Sequence, residues 1–222
     1  MRLRRFLPAL LGLLLWPALL GACSQVPLPL GGDDADVIAA DAFDPTAADR
    51  WLLEGDDLSR AYLASEKLIT DVNGPELVHY SVLVEKGFDD FTLEVDATQL
   101  AGPPRSSYGI LFRMAENGAF YRFAVLPAGY YQVELHQADG SRLSLTDGWV
   151  ATDHVNQGLN QVNRLKVTTF GTSLAFFING VFQTELSESS LVQGGVALEA
   201  GSFTSGGVQV AFDNLLIRRR EQ

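Results

Sequence analysis

Along most of this chain, apolar and polar side chains alternate in short runs with a period of two. The clearest run is Phe91-Thr92-Leu93-Glu94-Val95-Asp96-Ala97, which alternates without a break. Successive side chains of a strand point to opposite faces, so this pattern reads as a half-buried β-strand. Tyr108–Arg113, Phe120–Leu126, Tyr130–Gln137, Arg164–Phe170, Ser173–Ile178, Val181–Leu186, Val196–Ala200 and Val208–Arg218 read the same way. Trp51–Leu53, Ala61–Ser65, Lys67–Thr70 and His79–Val84 are weaker candidates. No long segment repeats at the helical period, and Ser187–Gln193 reads at most as a single helical turn. Many short strands separated by turn residues predict an all-β antiparallel sandwich or barrel.

Two turns fix register. Asn179-Gly180 lies between apolar runs, and both residues tolerate the positive φ that a type I′ hairpin requires. Pro127-Ala128-Gly129 suits a three-residue loop with Gly129 in the left-handed position. That loop sets Leu126 opposite Tyr130 and Arg122 opposite Glu134. Tyr121, Phe123, Val125, Tyr131, Val133 and Leu135 then share an apolar core face. Arg122, Gln132, Glu134 and His136 share the other.

The first residues follow a different logic. Arg2, Arg4 and Arg5 precede an apolar run, Phe6 to Leu20, that Pro8 and Pro17 interrupt. A membrane-spanning helix needs about 20 apolar residues, whereas a secretory signal core is shorter. The run ends in Leu20-Gly21-Ala22-Cys23, which resembles the lipobox of bacterial lipoproteins. The small residues would let a peptidase approach the backbone, and the Cys23 thiol would accept the lipid. Residues 1–22 are therefore expected to be a lipoprotein signal peptide, with lipidation at Cys23. Residues 23–42, rich in Pro, Gly and Asp, are expected to be a flexible tether. The folded domain is expected over 43–219, with a tail at 220–222. Cys23 is the chain's one cysteine, so no intramolecular disulfide forms. The expected location is the outer membrane of a two-membrane bacterium or the outer face of the plasma membrane of a single-membrane one. The partner there is the bilayer itself, through acylated Cys23.

Charge narrows the other partners. The chain carries a net −11, and loss of the three signal arginines would take this to −14. Such a surface repels nucleic acid and anionic headgroups, so no nucleic-acid partner is expected. Arg218-Arg219-Arg220 reads as a solvated chain end.

The strand order from Phe91 onward resembles the concanavalin A-like lectin/glucanase jelly roll, and within it the laminin-G-like and 3-keto-glycoside-hydrolase-like domains. Phe91-Thr92-Leu93-Glu94-Val95, Tyr108-Gly109-Ile110-Leu111-Phe112-Arg113, Asn163-Arg164-Leu165-Lys166-Val167, Ile178-Asn179-Gly180 and Val210-Ala211-Phe212-Asp213-Asn214 carry the resemblance. It implies two stacked sheets, one with a concave face where family members often bind sugars. Sugar recognition needs aromatic platforms and polar groups that fix orientation. Candidates are Arg113, Arg122, Tyr130, Gln132, Glu134 and His136, expected together on the polar face, with Trp149 as lid or edge plug. The competing reading is a wet sheet face with an Arg122–Glu134 cross-strand pair.

No catalytic residue is expected. Retaining glycosidases need two carboxylates about 5 Å apart. Glucanases of this superfamily carry them in a strand pattern that Glu94-Val95-Asp96-Ala97-Thr98-Gln99 approaches, but Gln99 stands where the acid should be, and an amide cannot protonate a leaving group. His79, His136 and His154 lack metal-ligand spacing, and no nucleophile elbow is present. No cofactor is expected. The resemblance leaves a structural calcium ion at Asp213 open, against an Asx turn that closes the last strand. The leading function is a non-catalytic, lipid-anchored binding module for a glycan or a cell-envelope partner. The alternatives are a glycoside-processing enzyme and a structural envelope lipoprotein.

Overall fold

The computed structural model describes residues 36–220 apart from residue 86. The signal, Cys23 and most of the expected tether lie outside the described residues. Two antiparallel sheets form a sandwich.

The larger sheet has eight strands. Its order runs β13 (Val181–Ser187), β12 (Ser173–Ile178), β11 (Val162–Phe170), β5 (Phe91–Ala101), β15 (Val208–Arg219), β3 (Lys67–Val72) and β2 (Ser59–Ala64), and β1 (Val37–Asp41) also pairs with β15. The smaller sheet has seven: β10 (Val150–Ala151), β8 (Tyr130–His136), β7 (Phe120–Leu126), β6 (Ser107–Met114), β14 (Gly195–Gly201) and β4 (Val78–Val82), with β9 (Arg142–Ser144) on β8. Strands adjacent in sequence mostly form hairpins, while β14 returns late in the chain between β6 and β4 and β15 between β5 and β3.

The alternation seen in the sequence is the division between core and surface. Phe91, Leu93, Val95 and Ala97 of β5 are wholly buried, and so are Tyr121, Phe123 and Val125 of β7. Phe176 of β12 bridges the sheets, 6.0 Å from Phe112 and 5.0 Å from Phe123, ring centre to ring centre. Burying such a ring contributes roughly 1.5–3 kcal/mol. Tyr108 brings a hydroxyl into this core, where it accepts a 2.9 Å hydrogen bond from Asn163 Nδ2. Burial pushes its phenol well above the usual range.

Both turns form as read. Asn179 and Gly180 take φ values of 52° and 80°, and Gly129 takes 88°. Arg122 pairs with Glu134 and Leu126 with Tyr130.

Several expectations are corrected. The folded chain starts before Phe43, because Val37–Asp41 forms β1 along β15. Asp41 accepts hydrogen bonds from the Phe43 amide and from Trp51 Nε1, at 2.7 and 2.9 Å, which ties the entering chain to the core. Trp51–Leu53 is not a strand, and only Trp51 makes a bridge, to Leu83. Ser187–Gln193 is not a helical turn, since Ser187 ends β13 and the residues after it run as irregular chain with bends. The short 3₁₀ helix lies instead at Pro45–Arg50, where the Asp44 side chain caps it and proline starts it. Asp213 does not close the last strand. β15 bulges between Asp213 and Leu216, with Asn214 at φ 52°, and then continues to Arg219.

Candidate functional site

The outer face of the seven-stranded sheet gathers most of the side chains that sequence reasoning placed together. Arg122 is at its centre. Its Nε and Nη2 donate to Glu199 Oε1 at 3.0 and 2.7 Å, Nη1 donates to Glu134 Oε2 at 2.9 Å, and Nη2 also donates to Ser107 Oγ at 2.8 Å. Gly109 lies between Glu199 and Ala124 in the sheet, and a Cβ there would come within 2.1 Å of the Phe123 carbonyl oxygen.

One cation thus serves two acids. Glu199 has no exposed surface, and burial pushes its carboxyl above the usual range despite Arg122, with the nearby Glu134 charge adding to the rise. Glu134 goes the other way. Burial raises it, but hydrogen bonds and charge from His136 and Arg122 outweigh this and bring it to about 2. The Arg122 guanidinium is itself held up, because the two carboxylates overcome its own burial. The arrangement is one ionised glutamate, one arginine and one glutamate biased toward its neutral form.

The rest of the face is arranged around this centre. Gln132 Nε2 donates to Ser144 Oγ at 3.1 Å. His136 stacks on Phe120 at 4.5 Å, with its Nε2 3.4 Å from Glu134 Oε2. Tyr80 extends this aromatic row, 6.5 Å from Phe120. At the opposite end, where β7 finishes and β8 begins, Tyr130 lies half-buried opposite Leu126. There Trp149 meets Phe203 edge-on at 6.2 Å. These two rings, Leu126, Pro103, Arg105 and Thr204 line a cavity of about 340 Å³.

Arg113 does not belong to this face. The pairing of β6 with β14 slips beside it, and its φ is 49°. Such a slip turns the side chain away from the alternation expected of it. Arg113 is completely buried, donating to the Leu191 and Asp89 carbonyls at 3.0 and 3.3 Å and pairing with Asp90. It fastens two loops together and cannot meet a ligand.

The other acids and histidines that the sequence reading singled out each have a partner. Asp96 takes two 2.8 Å bonds from Arg164, and Glu94 pairs with Lys166 at 3.2 Å. Asp213 pairs with Lys67 and accepts from the Asn214 amide. Among the described residues no group of three or more His, Cys, Asp or Glu side chains could hold a metal ion. His79 faces Ser59, and His154 faces Thr152.

Sequence reading missed Glu199, Phe203, Arg105 and the Tyr80–Phe120 pair. Glu199 left a signal, as the one charge inside the apolar run Val196–Ala200. Phe203 and Arg105 lie in loops and left none.

No family model and no curated protein matches the chain. Solved structures do. The carbohydrate binding module CBM66 from Bacillus subtilis superposes with a TM-score of 0.61 at 16% identity, covering 76% of this chain and 95% of that one. The chain shares its jelly-roll sandwich. A protein of unknown function with galectin-like fold, also from Bacillus subtilis, gives 0.65 at 10% identity over 83% and 98% of the two chains. The laminarinase catalytic domain from Thermotoga maritima MSB8 gives 0.58 at 8% identity over 84% and 98%. At these identities the likeness is one of fold.

Proposed function

We propose that this chain is a non-catalytic glycan-binding module, held at a bacterial membrane by lipid on Cys23. The observation that carries the glycan reading is the outer face of the seven-stranded sheet, with Tyr80, Phe120 and His136 at one end, the Trp149–Phe203 cavity at the other and hydrogen-bonding side chains between. Rings offer flat apolar surface to sugar faces, and polar groups fix orientation. The carbohydrate-binding and glycan-degrading proteins that share the fold are consistent with it.

The non-catalytic part rests on Arg122. Glu134 and Glu199 are the two carboxylates a glycosidase reading would choose. Both are engaged by the same guanidinium, and Glu199 has no surface with which to reach a substrate. An acid and a nucleophile must both touch the scissile bond.

Calorimetric titration of the purified chain against a panel of oligosaccharides tests the proposal. Binding is expected, and Trp149→Ala or Phe203→Ala is expected to weaken it about tenfold or more, as loss of an aromatic anchor does. Binding that ignores both substitutions places the site elsewhere. Release of reducing ends from any bound oligosaccharide would establish the enzymatic alternative.

The anchor is tested separately. Cells expressing the chain and fed a labelled fatty acid should label it, and Cys23→Ala should abolish the label and release the protein from the membrane fraction. For location, Ser24 after the cysteine favours the outer membrane where the cell has two.

A further inference from the structure

We infer that the glycan is acidic, with a uronate ring seated in the Trp149–Phe203 cavity and its carboxylate on Arg105. This rests on the glycan-binding reading above and adds the class of sugar.

Charge on this face is satisfied unevenly. Arg122 is neutralised by Glu134 and Glu199. Among the described residues Arg105 has no carboxylate within ion-pair distance, although the chain carries 27 acidic against 16 basic side chains. An arginine left unpaired beside an aromatic cavity keeps its guanidinium available to a ligand carboxylate. It is exposed, and it lines the cavity with Trp149 and Phe203.

The cavity suits a ring with one charged edge. Its walls are mostly apolar, from Trp149, Phe203, Leu126 and Pro103, and Thr204 and Arg105 supply the polar contacts. A volume of about 340 Å³ is at the lower end of small-molecule sites, enough for a single sugar ring. The planar guanidinium matches a carboxylate through two parallel hydrogen bonds, which neither a hydroxymethyl group nor a lysine point charge would reproduce.

A second arginine stands further along the face. Arg142 pairs with His136 across β8 and β9, so it shares the outer face with His136 and Phe120. It too is exposed and lacks an ion-pair partner among the described residues. Phe120 and Leu126 mark the two ends of β7, about 20 Å apart at the rise of an antiparallel strand. One unpaired cation thus stands at each end, with the neutralised Arg122 cluster between. An oligosaccharide bearing several carboxylates would meet both.

The test compares oligouronates with their carboxyl-reduced counterparts, identical chains in which each carboxylate has become a hydroxymethyl group. The panel is oligogalacturonate, oligoglucuronate and oligomannuronate, titrated into the purified chain. At least one acidic oligomer should bind about tenfold or more tighter than its reduced form, and added salt should weaken it. Arg105→Gln should remove most of the preference for the acidic oligomer, and Arg105→Gln combined with Arg142→Gln should bring it to the affinity of the reduced one. Trp149→Ala should weaken both, because the ring contact does not depend on charge. If acidic and reduced oligomers bind alike while Trp149→Ala weakens both, the acidic assignment falls and the glycan-binding reading stands. The acidic assignment falls in the same way if Arg105→Gln leaves the preference for acid intact. If no oligomer of either kind binds, the acidic assignment falls, and the glycan-binding reading is decided by the wider oligosaccharide panel. Arg105 is exposed and its substitution should leave the melting temperature unchanged, which separates loss of binding from loss of fold.

Discussion

Two acids share Arg122, and that ratio governs how its removal should act. Arg122→Ala would leave buried Glu199 without the donor that holds it, and a buried polar group left unsatisfied costs about 1–3 kcal/mol. Urea unfolding at neutral pH should show that loss. A value near zero would mean that Glu199 is not held by Arg122 in solution. The pH dependence follows from the two opposite shifts. Glu134 is depressed from 4.5 to about 2 in the folded protein, so its contribution is complete above pH 4.5 and is lost as pH falls toward 2. Glu199 is raised, so the folded state holds its proton more tightly than the unfolded chain does, and stability declines as pH rises above the ordinary carboxylate range. Urea midpoints measured from the acid range to neutrality should therefore pass through a maximum. Glu134→Gln should flatten the acid limb, and Glu199→Gln should flatten the other. The Arg122–Glu134 half of this cluster was legible in sequence, because a three-residue loop fixed the register of two adjacent strands. Glu199 was not, since it comes from 77 residues further along the chain and local pattern does not say which strand becomes the next neighbour but one.

At the scale of the element, the Asn179-Gly180 turn shows the same division. Its backbone was readable, because only a few residue types tolerate two successive positive φ values. Its tertiary work was not. Asn179 Nδ2 donates to the His154 carbonyl at 2.7 Å and to Asn163 Oδ1 at 2.9 Å, and its Oδ1 accepts from the Arg164 amide. The side chain ties the β12–β13 hairpin to the 152–161 loop and to the start of β11. Asn179→Gly keeps the turn and removes the ties, and should cost about 1–3 kcal/mol. Asn179→Val loses both, adding roughly 1–2 kcal/mol for a left-handed β-branched residue. Chemical denaturation of the two variants separates the contributions, and equal losses would mean that the backbone cost is negligible here. Arg113 shows how such reading fails: strict alternation put it on the polar face, and one slip in the β6–β14 register buried it. Bulges at Arg113 and Asp213–Asn214 answer to neighbouring strands and leave little trace in the run of residues itself.

For the whole molecule, the decisive feature is where the folded part begins. Composition placed the boundary at Phe43, because Pro, Gly and Asp dominate the preceding stretch. Val37–Asp41 nevertheless completes the large sheet, continuing along β15 beyond the segment that β3 covers. Asp41 is buried and accepts from Trp51 Nε1 and the Phe43 amide, with Arg50 3.3 Å away. A chain shortened to begin at Asp36 should therefore melt at the temperature of the longer protein. One begun at Phe43 exposes the β15 edge and strips the Trp51 indole of its acceptor, a buried donor left unsatisfied at about 1–3 kcal/mol before the strand itself is counted. It should melt several degrees lower, and equal melting temperatures would show that β1 contributes nothing to the sheet. The shift also shortens the proposed tether. From Cys23 to Val37 the chain can span at most about 45–50 Å when fully extended. The lipid would thus hold the aromatic face within a thin layer above the membrane, where a modest affinity for a surface-bound glycan is raised by effective concentration.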